Sequence, residues 1–68
     1  MKNKFQISLA AARVNAKLTQ DDVAKLMKVS KNTIVNWEHG KVIPKAAQLK
    51  MYCEIVDIPQ DYIFLQVK

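Results

Sequence analysis

Residues 19–40 have the sequence TQDDVAKLMKVSKNTIVNWEHG, and this stretch decides the fold that the chain is expected to adopt. Thr19 offers a hydroxyl N-cap, and Asp22 three residues later approximates a capping box at the start of a short helix. Ser30 is the next N-cap candidate, and Gly40 ends the helix that Ser30 opens. The stretch therefore predicts two short helices joined by a tight turn, which is a helix-turn-helix unit.

The apolar residues of the chain recur at helical spacing nearly throughout. Five inner faces follow from that spacing: Phe5, Leu9, Ala12, Arg13 and Ala16; Val23, Ala24 and Met27; Ile34 and Trp37; Leu49, Tyr52, Cys53 and Val56; and Ile63, Phe64 and Val67. Pro44 fits the first turn of the fourth helix, and Asp61 begins a short fifth helix. No segment alternates apolar and polar residues clearly enough to favour a strand over a helix. We therefore predict an all-α fold in which residues 1–68 form one domain, a compact bundle of about five short helices.

Composition excludes several classes of protein. The chain has 68 residues with one Cys and one His, too few for an internal disulfide or a structural zinc site. No segment approaches ~20 consecutive apolar residues and none resembles a signal peptide, so we expect a cytoplasmic protein without a membrane span. The sequence contains no nucleophile–base pair, carboxylate dyad or phosphate-cradling glycine loop, so we expect no enzyme activity, cofactor or small-molecule ligand. The net charge of +5, from 11 Lys and Arg against 6 Asp and Glu, favours a polyanionic partner.

The outward face of the unit's second helix carries four candidates for contacts with DNA bases: Lys31, Asn32, Val35 and Asn36. The major groove of double-stranded DNA is wide enough to admit such a helix. Asparagine pairs bidentately with adenine, lysine donates to guanine, and valine can contact a thymine methyl group. Ile34 and Trp37 anchor the helix from behind. The alternative interpretation is a solvated polar helix face without a ligand.

Five further residues are candidates for contacts with DNA phosphates: Gln20, Ser30, Thr33, Lys41 and Lys45. Gln20 lies at the start of the bracing helix, where its amide and nearby backbone N–H groups can grip a phosphate. Lys41 and Lys45 flank Pro44 and act as point charges. Ser30 has a competing role as an N-cap, and the two lysines have the alternative of being solvated loop residues.

The order of these residues resembles the Cro/repressor-type (XRE) helix-turn-helix family. The matching segments are LTQDDVA (18–24), VSKNTI (29–34), WEHGK (37–41), Pro44, VDI (56–58) and DYI (61–63). The resemblance covers about residues 5–65 and implies a lambda-repressor-like fold. It also implies a transcriptional regulator, and specifically a repressor, that binds double-stranded DNA as a symmetric homodimer on a near-palindromic operator. In the family, positions 31, 32 and 36 contact bases, and positions 20 and 45 contact phosphates.

Arg13 and Glu38 are expected to form a structural ion pair. Arg13 lies on the inner face of the first helix, where a charge needs a partner. Glu38 is the only acidic residue of the unit's second helix, and the resembling family pairs these two positions. The pair would then fix the second helix against the first rather than contact DNA.

The apolar residues that follow the unit include five candidates for a dimer contact: Ile43, Ile58, Tyr62, Phe64 and Leu65. One helix covers only a few base pairs, and a two-fold dimer presents two such helices to neighbouring half-sites. In the resembling family this end of the domain forms the dimer contact. Some of the five residues must also fill the core.

The chain departs from the family at three positions that commonly hold glycine there: Lys17, Lys28 and Asp57. A residue other than glycine in a left-handed conformation costs on the order of 1 kcal/mol. Gly40 is the single glycine of the chain. These departures put the local stability of the turns in question rather than the fold.

A protein-interaction module is the alternative to DNA binding, since an antitoxin-like or adaptor protein can use the same fold to hold a partner protein. A helix that binds a protein partner is expected to expose apolar anchors, and this one exposes polar residues. Recognition of RNA would need an exposed aromatic platform, which the sequence lacks. The pattern therefore favours sequence-specific binding to double-stranded DNA.

Overall fold

The computed structural model describes residues 6–65, which contain four α-helices and a two-stranded sheet. In chain order these elements are β1 (Ile7–Ser8), α1 (Leu9–Asn15), α2 (Gln20–Met27), α3 (Lys31–Glu38), α4 (Ala46–Val56) and β2 (Ile63–Phe64). A single 3-10 turn, Gln60–Tyr62, precedes β2. The predicted all-α class, with a helix-turn-helix unit formed by α2 and α3, is confirmed.

Side-chain caps begin both helices of the unit, as predicted. At the start of α2, the Thr19 N–H donates to Asp22 Oδ2 at 2.9 Å, and the Asp22 N–H donates to Thr19 Oγ1 at 3.0 Å. At the start of α3, the Thr33 N–H donates to Ser30 Oγ at 3.1 Å. These bonds satisfy N–H groups that the first turn of a helix leaves without a partner. The boundaries of the unit are therefore set by local side chains.

The core lies between the four helices and contains most of the predicted inner-face residues, but Phe64 is exposed. Its buried members are Leu9, Ala12, Val23, Ala24, Met27, Ile34, Trp37, Tyr52 and Val56. Ala16, Leu49 and Ile63 are partly buried and pack against this core, and Cys53 is buried. Phe5 and Val67, which the sequence also places on inner faces, lie outside the described residues. The helix α3 is thus anchored from behind by fully enclosed apolar side chains.

A single 3-10 turn and a short strand stand where a fifth helix through Ile63 and Phe64 is predicted, so that prediction is wrong for these two residues. After the 3-10 turn, which the Tyr62 N–H closes on the Pro59 carbonyl at 2.9 Å, residues Ile63 and Phe64 are extended. They pair in parallel with Ile7 and Ser8. The helix α1 begins only at Leu9 because the Ser8 hydroxyl caps it, with Oγ accepting from the Ala11 N–H at 3.1 Å. A pairing between two such distant segments leaves no trace in local periodicity.

Every α-helix of the described chain is followed by a residue in the left-handed region: Lys17 (φ 62°), Lys28 (φ 60°), Gly40 (φ 78°) and Asp57 (φ 59°). In each case the next N–H reaches back to a carbonyl five residues earlier, as in the Schellman motif. For α2, the Val29 N–H donates to the Ala24 carbonyl at 3.0 Å. Only one of the four residues is glycine, so three helix ends carry the steric cost of a Cβ in this conformation.

We expect Lys28→Gly to stabilise the domain by about 0.5–1 kcal/mol, because relief of the left-handed strain exceeds the extra entropy of the unfolded chain. For a domain of this size, that change corresponds to a rise in Tm of roughly 2–8 °C. The matched control is Lys25→Gly, one turn earlier in α2, which should destabilise by about 1 kcal/mol because Lys25 is helical. A fall in Tm for Lys28→Gly in thermal unfolding would contradict the expectation.

Candidate nucleic-acid interface

A buried carboxylate at the end of α3 organises the helix-turn-helix unit. The side chain of Glu38 is 2% exposed and accepts hydrogen bonds on both oxygens. Its Oε2 accepts from Arg13 Nε and from Tyr52 Oη, both at 2.7 Å. Its Oε1 accepts from Arg13 Nη2 and from Gln20 Nε2, both at 3.1 Å. We call these four side chains the Glu38 network; it contains the ion pair that the sequence predicts between Arg13 and Glu38.

The Glu38 network reaches every helix of the described chain. Arg13 lies on α1 and donates from Nη1 to the Leu18 carbonyl at 2.9 Å, which holds the loop before α2. Tyr52 lies on α4, and its Oη is also 3.1 Å from the Leu9 carbonyl. The phenol has one proton, which is better placed on the nearer and charged Glu38 oxygen. Within residues 6–65, no buried side-chain nitrogen or oxygen lacks a hydrogen-bond partner.

The network keeps Glu38 ionised and Tyr52 neutral. Burial raises the pKa of Glu38, but the hydrogen bonds from Arg13, Tyr52 and Gln20 outweigh it and hold that pKa below its ordinary value. Burial, reinforced by the neighbouring carboxylate, raises the pKa of Tyr52 far above its ordinary range. The hydrogen bond to Glu38 raises the pKa of Arg13, against the opposing effect of burial. The site is therefore a fixed ion pair with a phenol donor.

The four candidates for base contacts lie together on the solvent side of α3. Lys31 and Asn32 are exposed, and Val35 and Asn36 are partly exposed. The side chains of Lys31, Asn32 and Asn36 have no hydrogen-bond or ion-pair partner within residues 6–65. Their donors and acceptors are thus free to bind a ligand, while the opposite side of α3 is committed to the core.

The five candidates for phosphate contacts differ in how far the fold already uses them. Ser30 Oγ and Thr33 Oγ1 are 2.9 Å apart and share one hydrogen bond at the start of α3. Gln20 is partly exposed and donates to the Glu38 network. Lys41 and Lys45 are exposed, and their side chains have no ion-pair partner in the described part of the chain. Only the two lysines are wholly available.

The five candidates for a dimer contact are divided by the fold. Ile58 and Leu65 are partly buried and pack against the core. Ile43, Tyr62 and Phe64 are exposed by 47%, 40% and 39%. The structure therefore leaves three of the five on the surface; Val42, beside Ile43, is also exposed, by 50%.

Two further contacts were missed by sequence reasoning, the hydroxyl of Tyr52 and the amide of Gln20 within the Glu38 network. A tyrosine in an otherwise apolar stripe was the available signal, because a buried phenol needs a hydrogen-bond partner. Gln20 offered no such signal, since a polar residue in the first turn of a helix needs no buried partner. Within residues 6–65, no cluster of three or more His, Cys, Asp or Glu side chains could hold a metal ion, and no helix is long and apolar enough to cross a membrane.

We expect the stability of the domain to fall in acid through Glu38. Because its folded pKa lies below the ordinary value of 4.5, the ionised carboxylate stabilises the fold above about pH 4.5, and that contribution is lost as the pH falls through the folded pKa. Glu38→Gln should lower the free energy of unfolding at neutral pH by about 3–5 kcal/mol, since it leaves Arg13 without its anion. It should also remove most of the decrease in the urea midpoint of unfolding that the unsubstituted chain shows as the pH falls.

The control for this experiment is Asp22→Asn, which removes the charge of an exposed capping carboxylate but keeps an oxygen for the Thr19 N–H. Hydrogen bonds with Thr19 also hold the pKa of Asp22 below its ordinary value, so a smaller effect of the same sign is expected. Equal stability of Glu38→Gln and the unsubstituted chain at neutral pH would contradict the assignment.

Comparison with known proteins agrees with this geometry. A family model described as a helix-turn-helix domain matches residues 7–68, a range that includes α2, α3 and all four members of the Glu38 network. No curated protein and no solved structure gave a significant match. The chain therefore belongs to the helix-turn-helix domain family, in its XRE/Cro-like type, and is a DNA-binding domain.

Proposed function

We propose that the chain is a transcriptional repressor that binds a near-palindromic operator in double-stranded DNA as a homodimer. In this proposal α3 enters the major groove, and the dimer occupies the operator and blocks polymerase. The observation that carries the proposal is the free amide groups of Asn32 and Asn36 on the solvent side of a helix whose other side is locked into the core. Unpaired polar groups on a rigid helix are what direct readout of bases requires.

The spacing of the two asparagines supports contacts with neighbouring base pairs. Asn32 and Asn36 are four residues apart and lie on one face of α3, about 6 Å apart along its axis. That separation corresponds to about two base-pair steps, and each amide can pair bidentately with an adenine. Lys31 then donates to a guanine at one end of the face, and Val35 contacts a thymine methyl group between the asparagines.

The phosphate contacts position the domain without selecting sequence. Lys41 and Lys45 supply exposed positive charge after α3, and Gln20 supplies an amide at the start of α2. Ser30 and Thr33 share one hydrogen bond, which leaves one hydroxyl proton between them for a phosphate oxygen. The net charge of +5 adds a sequence-independent attraction to the duplex.

The dimer contact is assigned to exposed apolar residues that follow α3 in the chain. Ile43, Tyr62 and Phe64 provide the surface, with Ile58 and Leu65 supporting it from the core side. A two-fold arrangement places two copies of α3 on half-sites about one helical turn of DNA apart.

Selection from a random duplex library, followed by a gel-shift titration, tests the proposal. Enrichment of a sequence with two related half-sites, bound by two copies of the chain, is the expected result. Failure to enrich any sequence, together with no retention on heparin, would overturn it and favour the antitoxin-like or adaptor function.

We expect Asn36→Ala and Lys45→Ala to weaken DNA binding in different ways. Asn36→Ala should relax specificity at one base position, at a cost of about 1–3 kcal/mol on the operator, with little change in salt dependence. Lys45→Ala should weaken operator and random DNA alike and reduce the slope of log K against log salt by about one. Equal losses on both DNAs for both variants would show that these roles are wrongly assigned.

A further inference from the structure

We infer that Gln20 is a positioning residue for base recognition, because it joins the phosphate contact to the helix that contacts the bases. The inference rests on the proposed function, and it adds to Gln20 a role that a simple phosphate contact does not have. Gln20 is the first residue of α2, and Glu38 is the last residue of α3. The hydrogen bond between Gln20 Nε2 and Glu38 Oε1, at 3.1 Å, therefore links the N-terminus of α2 to the C-terminus of α3.

The chemistry of the amide allows both contacts at once. The Gln20 side-chain nitrogen carries two protons, and Glu38 accepts one of them. The second proton is available to a phosphate oxygen, because the Gln20 side chain is only partly buried. One planar amide then lies between two anions, the carboxylate inside the protein and the phosphate outside it. Any displacement of the phosphate relative to Gln20 is therefore transmitted to Glu38.

Glu38 transmits this constraint to the base-contacting side chains. It is held by Arg13 and Tyr52 and belongs to the same rigid helix as Asn36, two residues earlier. The direction of α3 relative to the DNA backbone is thus set in part through Gln20. Loss of this link should misplace Asn36 against its base, and a misplaced bidentate contact is weakened because hydrogen bonds depend steeply on geometry.

Lys45 provides a contrasting phosphate contact within the same domain. It is exposed, it precedes α4, and its side chain has no hydrogen-bond or ion-pair partner within residues 6–65. Its charge can attract a phosphate without fixing the direction of α3. Gln20 and Lys45 should therefore differ in whether their removal changes the contribution of Asn36, although both removals weaken binding.

A double-mutant cycle in DNA affinity tests the inference. Gln20→Met keeps the length of the side chain but removes the donor, and it is combined with Asn36→Ala; Lys45→Ala combined with Asn36→Ala is the matched control. Affinities are measured on the duplex that the unsubstituted chain selects from a random library and on a scrambled duplex of equal length. Gln20→Ala is run in parallel, and circular dichroism establishes that each variant is folded.

The expected result has two parts. Gln20→Met lowers affinity for the selected duplex more than for the scrambled one, and the loss caused by Asn36→Ala is at least about threefold smaller in the Gln20→Met background than in the unsubstituted chain. For the control pair, the fold losses of affinity caused by Lys45→Ala and by Asn36→Ala multiply in the double variant. The inference is overturned if the effects of both Gln20 variants also multiply with that of Asn36→Ala. A chain that selects no duplex at all overturns the proposed function as well, which is a distinguishable outcome.

Discussion

The carboxylate of Glu38 is buried inside a small helical domain. Burial of a carboxylate costs several kcal/mol in desolvation unless its oxygens are paired. The cost is met by donors from three other helices, namely Arg13 on α1, Gln20 on α2 and Tyr52 on α4. Such a network adds little net stability compared with an apolar core of equal volume. Its hydrogen bonds are directional, however, so they restrict the angles at which the other helices meet α3. Apolar packing is less directional and restricts these angles less sharply, with a scatter of about 15–20° around the preferred crossing angles.

The parts of the structure that were predicted from the sequence are those with local causes. The caps at Thr19 and Ser30 act within one helical turn, and so their residue types are sufficient to locate α2 and α3. The pairing of Arg13 with Glu38 could also be predicted, because a charged side chain on the inner face of a helix needs a partner. The parts that were missed depend on segments far apart in the chain. The extended pairing of Ile63 with Ile7 replaced the predicted helix, and the Tyr52 hydroxyl found its acceptor on another helix.

The helix ends show how the charge of the chain and its shortage of glycine are connected. Lys17 and Lys28 take left-handed conformations where a Cβ is unfavourable. Each is also a cation at the negative end of a helix dipole, which is favourable by about 0.3–1 kcal/mol and offsets part of that strain. Asp57 has the same conformation at the end of α4 but carries a negative charge, which the helix dipole disfavours there. Aspartate, however, tolerates the left-handed region better than lysine does, so at this end the side chain reduces the strain and the charge does not.

The residues proposed to contact DNA fall into two physical kinds. The exposed lysines act through charge, which is long-ranged, tolerant of side-chain motion and weakened by salt. The amides of Asn32 and Asn36 act through hydrogen bonds, which are short-ranged and require α3 to be held within a fraction of an ångström. A domain of four short helices meets the second requirement only if α3 is fixed at both ends. Ser30 caps one end, and the Glu38 network holds the other. Gln20 belongs to that network and is partly exposed, so in our proposal its amide links a phosphate contact to the helix that carries Asn36.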